Sequence, residues 1–155
     1  MAASVASRNQ PYAFDEHNLR WFNFGEFKHF VFAMLDVDRE RKVVDLILKF
    51  EPNERIFLHR HLAQTNTFVV QGEHRMYEPD GRLKEIRPVG SYTSSAPGTP
   101  HREGGGAEVC IVFYSIRAES EAVFEVYDDN EKSTGFLNLQ DFIGAYEEQK
   151  AARSA

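Results

Sequence analysis

The chain has 155 residues, of which 42% are apolar and 27% charged, with 24 acidic against 18 basic side chains and a net charge of −6. This length suits one domain and is too short for two ordinary ones, and 13 Phe with 6 Tyr supply a core that needs no disulfide. The acidic balance, with no basic run longer than Arg41-Lys42, argues against binding nucleic acid or an anionic lipid surface.

In chain order, MAASVASRNQ has no long apolar region after its arginine, so it does not read as a secretory signal. Residues 1–12 are expected to be loose. No segment approaches the roughly 20 apolar residues of a membrane span, and the expected setting is the cytoplasm. The aromatic-rich WFNFGEFKHFVF contains a strand from Phe30 to Leu35. It suits either an oligomer interface or a cover for the subunit's own sheet. In RKVVDLILKF, Val44, Leu46, Leu48 and Phe50 share one face, while Val43 and Ile47 lie on the other, so both sides of this strand are partly covered.

RIFLHRH is the next strand candidate. NTFVVQGEHRMYEPDGRLKEIRPVG reads as three strands around a glycine turn and the Pro79-Asp80-Gly81 turn. AEVCIVFYSIR is a central strand. The lone cysteine, Cys110, lies in it and is expected to be a buried small hydrophobe. AVFEVYDDNEKSTGFL reads as a hairpin. In NLQDFIGAYEEQKAA, Leu139, Phe142, Ile143 and Tyr146 recur at helical spacing, with Asn138 as N-cap and Asp141 three residues on. Many short strands and one terminal helix imply an all-β sandwich or barrel. The expected boundaries are a flexible 1–12, a barrel over 13–137 and a helix over 138–150 packed on it.

His59 and His61 are two residues apart. On a strand, alternate side chains share a face, so both imidazoles and Phe57 point one way. Two neutral imidazoles suit a borderline divalent metal. His101, after the bend APGTPH, is the best third ligand. His74 follows a turn glycine and is expected to be exposed, while His17 and His29 read as surface residues.

These histidines sit in two segments that resemble the cupin motifs G-x5-H-x-H-x3-E-x6-G and G-x5-P-x-G-x2-H-x3-N. The first corresponds to NERIFLHRHLAQTNTFVVQG, Asn53 to Gly72, and the second to GSYTSSAPGTPHREGG, Gly90 to Gly105. His59, His61, Gly72, Gly90, Gly98 and His101 match. Asn53, Thr65, Ala96 and Gly105 stand where the motifs have glycine, glutamate, proline and asparagine. The resemblance covers about residues 40 to 117 and implies a single-domain cupin, a double-stranded β-helix (jelly-roll) barrel, with the C-terminal helix added.

With threonine at the glutamate position, the set resembles that of the three-histidine cupin dioxygenases, which cleave β-diketones or 2,4'-dihydroxyacetophenones. That resemblance implies Fe(II) on His59, His61 and His101, with Zn, Ni or Mn as other metals the purified protein could carry. It also implies a small organic substrate plus O₂, and a homodimer or homotetramer. Three neutral ligands would leave the metal its full +2 charge to bind an anionic chelate. Thr65, Phe57, Gln64 and Glu103 are the candidate residues around the metal, although Glu103 and Arg102 read more readily as solvated rim residues. Either Val109, Ile111 and Phe113 or Cys110, Val112 and Tyr114 face the pocket. A non-redox metal-dependent isomerase or lyase, and a small-molecule-binding cupin with a structural metal, are the competing readings. Anti-sigma regulatory proteins carry domains of the binding kind, usually joined to a second domain that this length does not accommodate.

Overall fold

The computed structural model describes residues 14–154, and the expected loose segment 1–12 lies outside them. The strands are β1 (Phe30–Asp38), β2 (Val43–Phe50), β3 (His59–His61), β4 (Gln64–Gln71), β5 (His74–Tyr77), β6 (Leu83–Arg87), β7 (Tyr92–Ser95), β8 (Arg102–Gly105), β9 (Cys110–Arg117), β10 (Ala122–Tyr127) and β11 (Ser133–Asn138), followed by helix α1 (Leu139–Ser154). All strand pairs are antiparallel. One sheet runs β1-β2-β9-β4-β7. Two three-stranded sheets, β11-β10-β3 and β6-β5-β8, are joined by bridges from His59 to His101 and from Arg55 to Gly104. The result is the jelly-roll arrangement of two opposed faces. Among the described residues, no helix is long and apolar enough to cross a membrane.

Alternation along the central strands decides what fills the interior. Leu46 pairs with Tyr114, Leu48 with Val112 and Phe50 with Cys110. Thr67 pairs with Tyr114 and Val69 with Val112. These side chains are buried, so the Cys110, Val112 and Tyr114 face of β9 points inward. The opposite face is also covered. Ala33, Ile47 and Ile111 form a second cluster beneath Leu19, Trp21 and Val70. Phe22, Phe24 and Phe27 pack on the main core. The aromatic N-terminal run therefore covers its own subunit's barrel.

Two local features explain departures from simple strand reading. RIFLHRH is a strand only over His59–His61, because the preceding chain crosses to Gly104 through a single bridge at Arg55. Asn53, at the position of the motif's first glycine, has φ 57°, and asparagine is among the few side chains that tolerate this left-handed region. Gly72, the closing glycine, has φ 72°, and a Cβ there would lie 2.5 Å from the Val109 carbonyl oxygen. A side chain at position 72 would separate β4 from the start of β9.

The helix begins where the Asn138 amide donates to Asp141 Oδ2 at 2.7 Å, which satisfies an otherwise unpaired donor at the helix entry. Leu139, Phe142 and Ile143 are buried. Phe142 packs on Phe24 and Phe124, with ring centroids 5.9 and 5.8 Å away. Gln149 is buried as well, and its Oε1 accepts from the Met34 amide of β1 at 2.7 Å. Gly144 lies on the exposed side with nothing within 4 Å of an added Cβ. Gly144→Ala is expected to raise stability by about 0.5–1 kcal/mol by removing backbone freedom from the unfolded chain. A denaturant titration showing no gain would contradict this account of the helix.

Candidate metal centre

His59 and His101 face each other across β3 and the start of β8. The His59 amide donates to the His101 carbonyl at 3.1 Å, and the His101 amide returns to the His59 carbonyl at 2.9 Å. Alternation then adds one residue on each side. His61 lies two beyond His59 on β3, and Glu103 lies two beyond His101 on β8, so all four side chains share one face. One potential ligand atom from each of His59, His61, His101 and Glu103 lies within 4.8 Å of the others.

The hydrogen bonds of each ring identify which nitrogen is free. His59 Nδ1 meets the Phe57 carbonyl at 2.9 Å, and His101 Nδ1 meets the Thr99 carbonyl at 3.2 Å. A carbonyl oxygen only accepts, so both Nδ1 atoms carry the proton. His61 Nδ1 meets Thr65 Oγ1 at 3.0 Å. That hydroxyl donates to the Ala63 carbonyl at 3.1 Å, which leaves its lone pair to accept from His61. All three Nε2 atoms are thereby left as lone-pair donors.

They converge on one carboxylate oxygen. Glu103 Oε2 lies 2.6 Å from His59 Nε2, 3.5 Å from His61 Nε2 and 3.4 Å from His101 Nε2. His61 Nε2 is buried without a hydrogen-bond partner among the described residues. Three lone-pair nitrogens around an anionic oxygen form the donor set that a divalent cation satisfies, so these residues fit a metal. The sequence expectation of three neutral ligands changes here. Glu103 is 3% exposed, and as a buried carboxylate it is no rim residue. It brings one negative charge to the set.

Glu103's second oxygen is held from behind. Oε1 accepts from the Tyr114 hydroxyl at 2.6 Å and from His74 Nε2 at 2.9 Å. Burial alone would disfavour the Glu103 carboxylate, but its polar contacts with His101, His59, His61 and His74 outweigh it and hold its pKa well below the usual carboxylate range. Burial pushes His61 down to about 4, with Glu103 opposing that shift. Burial and the neighbouring Glu103 raise the Tyr114 hydroxyl well above its ordinary value, so it remains a donor.

The other expected residues are distributed unevenly. Phe57 stacks on Phe27 at 4.0 Å and stands 5.0 Å from the His59 ring. Thr65 is buried and orients His61 rather than supplying a ligand atom. Gln64 is exposed and donates to Ser94 Oγ at 2.9 Å. It lies next to Thr65 and therefore on the opposite face of β4. Arg102 points outward to Asp129 at 2.7 Å. His17 pairs with Asp15, and His29 with Glu51, both outside the cluster.

His74 differs from expectation. It is fully buried, stacked on Phe50 at 5.5 Å. Its alternation with buried Met76 along β5 was the available sign of an inward face. Phe124 was also missed as a site residue. Its ring stands edge-on to both His59 and His61, at 5.8 and 4.9 Å, because β10 pairs Phe124 with His61.

Two cavities meet at the cluster, and both are lined by His61 and Glu103. One, of about 60 Å³, is almost wholly apolar, with Phe30, Phe32, Phe57 and Phe124 among its walls. The other, of about 170 Å³, is polar and adds Thr65, Lys84, Arg87 and His101.

Residues 9–118 match the model of the family described as the ChrR cupin-like domain. No curated protein matches the chain. Among solved structures it is similar to an RmlC-like cupin protein of Ralstonia eutropha JMP134, at 19% identity and TM-score 0.71, covering 92% of this chain and 88% of that one. An acetylacetone dioxygenase of Acinetobacter johnsonii is 14% identical with TM-score 0.67, covering 96% and 99%. The polyketide cyclase RemF of Streptomyces resistomycificus is 19% identical with TM-score 0.53, covering 71% and 81%. At these identities the likeness establishes the fold.

Thr65→Val keeps the side-chain volume but removes the acceptor that sets the His61 tautomer. It is expected to weaken divalent-metal affinity about 10- to 100-fold, as read by competition with a chelator. Unchanged affinity would show that Thr65 does not orient the ring. A pH dependence also follows for the metal-free protein. Unfolded His61 takes up a proton near 6.5, while folded His61 resists until about 4. Stability therefore falls as pH drops through that window, by on the order of 3 kcal/mol. Below about 4.5, the stability contributed by ionised Glu103 is lost as well, as pH falls through its lowered folded value. Thermal melts of metal-free protein between pH 7 and pH 4 check the slope, and a flat profile would contradict it.

Proposed function

This chain belongs to the ChrR cupin-like domain family, and on that premise we propose that it is a non-haem Fe(II) dioxygenase. Its substrate is a β-diketone or hydroxyketone. The carbon–carbon bond beside a carbonyl breaks, and both atoms of O₂ end in the two fragments. The observation that carries this reading is the convergence of three Nε2 lone pairs and Glu103 Oε2 where an apolar and a polar cavity meet.

Fe(II) held by His59, His61, His101 and Glu103 would polarise the substrate oxygens and supply electrons to O₂. The remaining work belongs to the chain. The Phe57 carbonyl, Thr65 and the Thr99 carbonyl keep the Nε2 atoms unprotonated, as second-partner hydrogen bonds do at metal-binding histidines. His74 and Tyr114 hold Glu103 Oε1, leaving Oε2 turned to the cluster. The ionised Glu103 offers lone pairs and no proton. The phenylalanine walls keep water from the apolar side, which strengthens charge interactions within the site. The fold likeness to the acetylacetone dioxygenase of A. johnsonii, nearly end to end, supports this reading.

The fourth protein donor also favours a second reading. Three histidines and one carboxylate complete the tetrahedral shell of a closed zinc site. A closed site of that kind is structural, as in a small-molecule-binding cupin, whereas a non-redox isomerase or lyase would keep one position open for its substrate. Oxygen uptake separates the two. Protein loaded anaerobically with Fe(II) is expected to consume O₂ with at least one member of a panel of β-diketones and hydroxyacetophenones, and Zn-loaded protein none. His101→Ala is expected to abolish the uptake. An Fe(II)-loaded protein that consumes no O₂ with any panel member would sink the dioxygenase reading in favour of the closed site.

A further inference from the structure

Arg87 closes strand β6 and enters the polar cavity that His61, His101 and Glu103 also line. Its side chain is 12% exposed. A guanidinium carries five N–H donors in a rigid fork. Here Nη1 reaches Thr67 Oγ1 at a long 3.4 Å, and Nη2 reaches Glu85 Oε2 at 3.2 Å. Nε is buried and finds no acceptor among the described residues. The Glu85 side chain is 47% exposed, so solvent screens its attraction. A cation this deep, with weakly engaged donors, is incompletely compensated.

The rest of the cavity does not compensate it. Lys84 adds a second positive charge, and Glu103, the other carboxylate in the lining, has both oxygens committed to the histidine cluster and to Tyr114 and His74. Thr67, Ser95 and Thr99 are neutral. A small anion between Arg87 and the cluster would occupy the unfilled fork, and an arginine fork matches the two oxygens of a carboxylate.

We propose that Arg87 is the specificity residue for a ligand that carries a carboxylate in addition to its metal-facing oxygens. The inference deepens the ketone-oxygenase reading and rests on it for the orientation of the ligand. The carboxylate lies at Arg87, and the carbonyl or hydroxyl oxygens lie at the His61, His101 and Glu103 side of the same cavity. Within the diketone class, the matching substrates are short oxo acids, and neutral diketones of equal size are poorer ligands.

Binding to Zn-loaded protein tests this without turnover, so failure of oxygen chemistry and failure of the subsite are read separately. Two probes share one dicarbonyl unit, 2,4-dioxopentanoate with a carboxylate and hexane-2,4-dione without. Calorimetric titration of wild type is expected to show the oxo acid binding about tenfold or more tighter, as charge-assisted hydrogen bonds supply. Arg87→Met is expected to erase that preference while changing hexane-2,4-dione affinity by less than about threefold. Glu85→Gln, on an exposed side chain, removes the competing carboxylate and is expected to tighten the oxo acid several-fold. That variant keeps the proposal testable if Arg87→Met does not fold. Equal wild-type affinity for both probes, a preference that survives in Arg87→Met, or no gain in Glu85→Gln would each overturn the proposal.

Discussion

The two backbone hydrogen bonds exchanged between His59 and His101 set everything else in this site. They tie β3 to β8, and so join two three-stranded sheets into one face. They also place two imidazoles side by side. From that pair, alternation along two short strands brings His61 and Glu103 to the same side. No long-range adjustment of side chains is needed, because the backbone register already sets their spacing.

The second tier is one carboxylate shared between two groups of donors. Glu103 gives one oxygen to three imidazoles and the other to Tyr114 and His74. These contacts keep it ionised despite burial. Each ligand histidine is held through Nδ1 by a carbonyl or a hydroxyl, so the lone pairs that face the centre are fixed by the fold. Apolar packing on one flank and a cavity lined by charged and polar side chains on the other then divide what approaches the cluster.

Much of the fold was legible because central strands advertise their burial. Val44, Leu46, Leu48 and Phe50 alternate, and Leu139, Phe142 and Ile143 follow helical spacing, so strand and helix were separable by period alone. The three histidines were legible from local spacing and from the resemblance to cupin motifs. Glu103 was underestimated because the motif drew attention to position 65. Its distance of two residues from His101 carried the same parity signal as His59 and His61. His74 was read as exposed because it follows a turn, and only the return of β5 beside β8 buries it. Gln64, a candidate beside the metal, neighbours the inward-facing Thr65 on β4 and so faces out. The convergence of Glu103 and Tyr114 with His74 brings β5 against β8 and β9 from at least 29 residues away, and local patterns do not contain such closure.

One consequence concerns the lone sulfur atom. Cys110 opens β9 with no exposed surface, and burial pushes its thiol up to about 12. Thiolate is the form that oxidants attack, and solvent access is what admits them. Cys110 meets neither condition, so its sulfur is shielded from sulfenic acid formation and intermolecular crosslinking. The interior packing that builds the barrel thus also keeps the lone thiol chemically quiet.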